Sequence, residues 1–368
     1  MLLIKKRELP LFPVFDDMWD SLKENKTPII LYGMGNGGDK LIAKLSECGL
    51  QITDVCASDE FVRGHSYRGI RVKTIAEIDE LYKDYILMIS FGSSRVEVME
   101  KFWALRSAKT VIVPDMPIAG DEYFNKEFYN DNYKEILSAY KNLADDWSKH
   151  IMACCIEFKL TGDMYYLFDA YNPAEELYGL IDKAPSVAVD VGAYNGDTIR
   201  ELLSFFRSLE KIYAFEPDKR NYKKLLEYAE SCESGTKIVC KNCAAWSESR
   251  EGIFMSSGNR NSSVSSTASH KKRDESVSLV RIDDVISEKV DFMKFDVEGA
   301  EEEALIGCEA IISRDYPTLF ISAYHRSSDL FRIQNMLHER YPEYEFYLRR
   351  GLSVPAWEIT LVAKRKNR

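Results

Sequence analysis

Short apolar runs alternate along the chain with stretches in which apolar residues recur once per helical turn, and they do so in two blocks. In the first block Ile29–Tyr32, Ile52–Ala57, Tyr85–Ser90 and Val111–Val113 read as buried strands. The first is followed by Leu41, Ile42 and Leu45 at helical spacing, stopped at Gly49. From Pro185 the alternation resumes. Strands are expected at Val187–Val191, Lys211–Phe215, Lys237–Lys241, Phe292–Asp296 and Thr318–Ala323. One intervening helix carries Ile199, Leu202, Leu203, Phe206 and Leu209; another runs over Ala300–Ser313. Two last runs, Glu345–Leu348 and Glu358–Ala363, are joined by a loop with Gly351 and Pro355. Strand–helix alternation predicts parallel sheets with helices on both faces. Residues 121–183 show helical spacing instead, through Ile136, Leu137, Tyr140 and Leu143 and through Ile151, Cys154, Cys155 and Phe158. The expected organisation is α/β: a Rossmann-like domain at residues 1–120, a helical linker or lid at 121–183, and a second Rossmann-like domain at 184–368.

Composition narrows the partners. The chain has 368 residues and a formal net charge of −10, which disfavours a bulk electrostatic grip on nucleic acid or anionic lipid. Lys5, Lys6 and Arg7 stand where a secretory signal would need its apolar core, and no run approaches the ~20 apolar residues of a membrane span. A cytoplasmic protein is expected, with no transmembrane segment; a homo-oligomer is compatible with the sequence. The eight cysteines are scattered, and Cys240-Lys-Asn-Cys243 lacks a second pair, so it reads as reduced thiols at a strand end. Ser256–Ser269 and the charge run 270–275 read as a solvated loop or as a flap over substrate.

Two glycine turns carry the candidate chemistry. Gly33-Met34-Gly35-Asn36-Gly37-Gly38 follows a strand and opens a helix, the context a dinucleotide fingerprint requires. Gly33, Gly35 and Gly38 would cradle phosphates, and Asp59, past the second strand, would hold ribose hydroxyls. The competing reading is a Rossmann-like unit kept for packing. The second turn, Val187–Gly196 (VAVDVGAYNG), delivers Asp190 to Gly192 and Gly196 at a helix start, and Glu216 and Asp296 end later strands. A nucleotide-like ligand suits that layout.

DVGAYNGDT (Asp190–Thr198), FEPD (Phe215–Asp218) and KFDVEGAE (Lys294–Glu301), in that order, resemble the FkbM family of S-adenosylmethionine-dependent methyltransferases. The resemblance covers the C-terminal half and implies a class I methyltransferase sheet ending in an antiparallel edge hairpin. The front domain, through LYGMGNGG and DEFVRGHSYRGIRV, is similar to the small Rossmann-like domains that precede sugar-modifying enzymes of surface-glycan pathways.

Together these imply an O-methyltransferase acting on a small-molecule or glycan hydroxyl, nucleotide-sugars included. The alternatives are an NAD- or nucleotide-sugar-dependent enzyme working through Gly33–Gly38, and a non-catalytic cofactor-binding protein. On the first reading Asp190 sits near the sulfonium and tail amine. Gly192 and Gly196 allow close approach, Asn195 and Asp197 hold the tail, Glu216 accepts the ribose diol, and Asn242 and Ala244 border adenine. A sugar hydroxyl has a very high pKa, so a base is expected: His325 or Asp296, with Glu298 orienting. Asp296 and Glu298 could also hold Mg, which is the less favoured option. Glu301–Glu303 read as complements to a helix dipole. Arg349 and Arg350 read either as a site for an acidic substrate or as a strand end. Trp357 reads as core packing, or as a plane to stack on a sugar.

Overall fold

The computed structural model describes residues 6–255, 263–265 and 274–366. The sequence-predicted flap at Ser256–Ser269 and the charge run after it lie largely outside these residues.

Four strands form the first sheet: β1 (Ile29–Tyr32), β2 (Asp54–Cys56), β3 (Ile86–Ile89) and β4 (Thr110–Ile112). Their order is β2-β1-β3-β4, all parallel, with Ile30 in register with Asp54 and Leu87. The second sheet has seven: β5 (Val187–Val191), β6 (Lys211–Phe215), β7 (Lys237–Lys241), β8 (Phe292–Phe295), β9 (Thr318–Ser322), β10 (Tyr344–Arg350) and β11 (Ile359–Arg365). The order is β7-β6-β5-β8-β9-β11-β10. Only β11 runs against its neighbours, slotted between β9 and β10. Central strands such as β1 and β3 read as unbroken apolar runs because helices cover both faces.

The helix expected over Ala300–Ser313 is two, Glu301–Ile306 and Glu309–Asp315. The break falls at Gly307, where a Cβ would lie 2.1 Å from the Trp246 carbonyl oxygen.

The helical stretch packs against the second sheet. Its longest helix, Asp146–Thr161, is capped by Asp145, which accepts the Ser148 N–H at 2.6 Å, and stopped by Gly162 in the left-handed region. It is buried nearly all round and fixed to the edge strand β10: Leu348 N–H donates to Ser148 Oγ at 2.9 Å, and Arg349 pairs with Asp145 at 2.8 Å. One continuous apolar cluster runs from Ile30 and Phe102 through Ile151 and Phe158 to Val191 and Phe346.

The carboxyl ends of the two sheets face each other. Ser93, after β3, exchanges backbone hydrogen bonds with Val354, before β11, at 2.8 and 3.0 Å. Beside it a Cβ on Gly92 would come within 2.3 Å of the Trp357 ring, so glycine is needed for the contact. The segment after β4 crosses the second sheet's loops, where Ala119 N–H donates to the His325 carbonyl at 2.9 Å.

Candidate active site

In the second sheet the strand order reverses at β5, which lies between β8 and β6. A crevice opens there beyond the strand ends, as expected at such a switch point. Its volume is about 590 Å³, and Asp197, Glu201, Glu216, Asp218, Asp296, Glu298 and Glu358 line it, against Arg200 and Lys294. Among the described residues five non-glycine positions have positive φ, and three of them, Tyr194, Glu298 and Glu358, stand on its wall. Backbone strain collected at one cavity marks a functional site.

Asp190 lies beneath the wall, fully buried, opposite Lys294 in the β5–β8 register. Neither carboxylate oxygen has a hydrogen-bond partner among the described residues. Burial pushes its acid up to about 7, Lys294 pulls it back, and Asp197 and Asp296 push it further up. Lys294 itself gives a hydrogen bond to Thr198 Oγ1 at 2.6 Å and lies 3.5 Å from Asp296. Burial opposes its charge, but Asp296 and Asp190 outweigh that and raise its pKa. Asp190 therefore acts on the cavity through Lys294.

The turn after β5 is shaped by its neighbours. A Cβ on Gly192 would sit 1.8 Å from the Asp296 carbonyl oxygen, and one on Gly196 2.6 Å from the Tyr228 ring. These glycines let the loops after β5 and β8 cross and the helix at Lys219–Ser231 pack; of the two, only Gly192 borders the cavity. The helix Asp197–Phe205 then starts with Asp197, Thr198 and Glu201 on the wall. Asn195 is off the wall, and its Oδ1 accepts from Arg200 at 3.3 Å.

Glu216 ends β6 on the wall. One carboxylate oxygen accepts the Tyr194 N–H and the other the Asp218 N–H, each at 2.8 Å. Burial pushes the group up to about 8 against those two donors. Asn242 stands behind this loop, its amide donating to the Glu216 and Pro217 carbonyls at 2.8 and 3.1 Å. The wall there is Phe215, Pro217, Cys243, Ala244 and Ala245, a mostly apolar stretch. Cys240 and Cys243 are free thiols, pushed up to about 11 by burial.

At the other end His325 is buried behind the wall. Its Nδ1 lies 2.8 Å from Glu301, and its Nε2 lies 3.4 Å from Asp296 and 3.7 Å from Glu298. Burial opposes its charge, yet Glu301, Asp296 and Glu298 together raise it to about 10. The three carboxylates thus favour the imidazolium, whose Nδ1–H donates to Glu301. Asp296, Glu298 and Tyr324 reach the cavity. Glu301, expected only to complement a helix dipole, is the buried partner of His325 and also accepts the Val297 N–H at 3.0 Å. Ligand atoms of Asp296, Glu301 and His325 lie within 4.8 Å of one another, a spacing a divalent cation could span.

The first sheet's loop has a different setting. Gly33 fits under Ser90 and Phe91, and Gly38 under Tyr67, while Gly35 caps the helix with φ 84. Asp59 is exposed on a 3₁₀ turn. None of these four lines the crevice or the neighbouring cavity of about 840 Å³, whereas Met34, Asn36 and Gly37 line the latter. Arg349 and Arg350 are both buried. Arg350 donates to the carbonyls of Leu167, Ser353 and Pro355, so it braces the loop before β11 and is not open to an acidic substrate.

A seven-stranded sheet with one reversed strand and a crevice at its switch point defines the class I methyltransferase fold. Residues 190–348 match the methyltransferase FkbM domain. Among solved structures, methyltransferase FkbM from Methylobacillus flagellatus KT is 21% identical with a TM-score of 0.71, covering 94% of this chain and 92% of its own. That likeness shows a common fold over nearly the whole length. SMU.1697c from Streptococcus mutans, solved in complex with SAH, is 14% identical over 53% of this chain and 98% of its own, with a TM-score of 0.36. The ribosomal protein L11 methylase from Lactobacillus delbrueckii subsp. bulgaricus is 14% identical over 52% and 75%, with a TM-score of 0.32. No curated protein matches the chain. No helix among the described residues is long and apolar enough to cross a membrane.

Proposed function

We propose that the protein methylates a hydroxyl oxygen of a sugar, a glycan precursor or a nucleotide-sugar, with S-adenosylmethionine as donor. The observation that carries this reading is the charge of the crevice: six acids besides the buried Glu216, against two cations, at the switch point of the sheet. A site so charged favours a cationic ligand. The donor would supply an electrophilic methyl on a sulfonium. Glu216 keeps lone pairs on both oxygens for a ribose diol. Phe215, Pro217 and Ala244 form the slot for a flat ring, and Asp197 and Thr198 meet the amino-acid tail at the helix start.

Asp296 is the base in this reading, because it reaches the cavity and His325 does not. His325 is a positioning residue: its cation, clamped by Glu301, fixes Asp296 and Glu298. Aligning the acceptor oxygen with the methyl carbon supplies much of the rate. The test is calorimetric titration with S-adenosylhomocysteine and, separately, NAD, followed by labelled methyl donor with a panel of sugars and sugar nucleotides. Binding of the first alone is expected. Binding of NAD alone would move the chemistry to the glycine loop of the first sheet.

A further inference from the structure

We propose that the methyl acceptor carries a diphosphate or similar polyanion, and that a basic cavity between the two sheets holds that group. This rests on the methyltransferase reading above and adds the acceptor's chemistry to it. The cavity is about 840 Å³ and adjoins the donor crevice. The loops after β1, β3 and β4 form one wall. The start of the helix Lys219–Ser231 and the loop before β11 form the other.

Its charge is opposite to that of the crevice. Lys40, Arg95, Arg220 and Lys224 line it, against Asp218 alone. Arg95 is paired with Glu97. The others are not neutralised: Lys40 touches only the Pro117 carbonyl, at 3.3 Å, and neither Arg220 nor Lys224 has a carboxylate partner among the described residues. Arg220 and Lys224 stand one helical turn apart, so two like charges share a helix face. In a chain of net charge −10, an uncompensated basic cluster inside a cavity calls for an anion. Phe91 and Trp357 add flat apolar wall, which suits the organic part of such a ligand.

The two cavities share walls. Tyr194, Asp218 and Asn221 line both, and the consecutive residues Trp357 and Glu358 line one each. An acceptor anchored by its phosphates at Arg220 and Lys224 can therefore extend its far end to Asp296. The acidic crevice repels the anionic end, so the charge pattern also sets the direction of binding.

The full chain is titrated with inorganic diphosphate and with UDP, in the presence of S-adenosylhomocysteine, at two salt concentrations. Both probes are expected to bind, more weakly at high salt. The double variant Arg220→Ala/Lys224→Ala, at exposed positions, should weaken both by about ten-fold or more while leaving S-adenosylhomocysteine affinity unchanged. The charge-preserving variant Arg220→Lys/Lys224→Arg should retain most of the affinity. Failure of diphosphate to bind a protein that binds S-adenosylhomocysteine would overturn the proposal. Equal diphosphate affinity in the double alanine variant would do the same. A wild-type chain that does not bind S-adenosylhomocysteine would overturn the underlying reading, and the acceptor role with it.

Discussion

Glu216→Gln is the sharpest probe of the donor site. A carboxylate offers about four lone-pair positions. Two are taken by the Tyr194 and Asp218 N–H groups at 2.8 Å, which leaves one per oxygen for a ribose diol. Hydrogen bonds to a charged group contribute ~1.5–3 kcal/mol each. Glutamine removes the charge and turns one acceptor into a donor, so at least one such bond is lost. At ~1.4 kcal/mol per decade, S-adenosylhomocysteine affinity should fall about 10- to 150-fold. The new amide also meets a backbone N–H, donor to donor, at a cost of ~1–3 kcal/mol visible in thermal unfolding. The wild type carries a pH signature as well. Burial raises the group from 4.5 to about 8, so its folded form holds a proton that the unfolded form has lost. Its contribution to stability is therefore full below 4.5 and disappears as pH rises through 8. Ligand binding runs the other way, because the diol donates to the ionised form. Affinity should rise up to about ten-fold per pH unit below 8 and level off above it. Calorimetry from pH 6 to 9 on both proteins measures this. A flat wild-type profile, with the variant within two-fold of it, would refute the ribose assignment.

Three further outcomes are expected. His325→Gln removes a buried cation from among Glu301, Asp296 and Glu298 and should destabilise the fold by ~3–5 kcal/mol in urea unfolding. Because the imidazole is raised from 6.5 to about 10, the wild type should lose stability as pH rises between those values, and the variant's alkaline limb should be flatter. Asp296→Asn should lower kcat by ~10²–10⁴ with little change in S-adenosylhomocysteine affinity, and undiminished turnover would exclude it as base. Gly92→Val places a branched side chain where even a Cβ lies 2.3 Å from Trp357. It should lower the melting temperature and abolish diphosphate binding while the donor site still fills; unchanged melting would show that the loop contact is soft.

The strands of both sheets were legible because each is a short apolar run ended by a turn residue. The helix break at Gly307 was not, since its cause is the carbonyl of Trp246, on another element. Glu301 was misread for a related reason. Three acids in a row at a helix start have a sufficient local explanation, and only the fold shows that the first of them turns inward to His325. Arg349 and Arg350 looked like a surface pair, yet their partners, Asp145, Leu167 and Ser353, come from the helical stretch and the next loop. The interdomain cavity was the least legible feature. Its walls join Met34 to Trp357, and no periodicity links residues so far apart.

The two glycine turns show what a fingerprint does and does not establish. Both were read as places where a ligand approaches bare backbone. In both, the missing Cβ makes room for protein: Gly37 clears the Ser90 carbonyl by a margin that would be 2.0 Å with a side chain, and Gly192 clears that of Asp296 at 1.8 Å. The motif is thus a device for crossing two loops at the carboxyl edge of a parallel sheet, whatever the ligand. Ligand chemistry has to be read from what stands on the wall beside the crossing. At the second sheet that is a ring of acids with Lys294 among them and Asp190 beneath. At the first it is Lys40 and Asn36, facing Arg220 and Lys224 across the gap. One turn motif, used twice, thereby frames two adjoining cavities of opposite charge, and the charge pattern separates a cationic donor from an anionic acceptor.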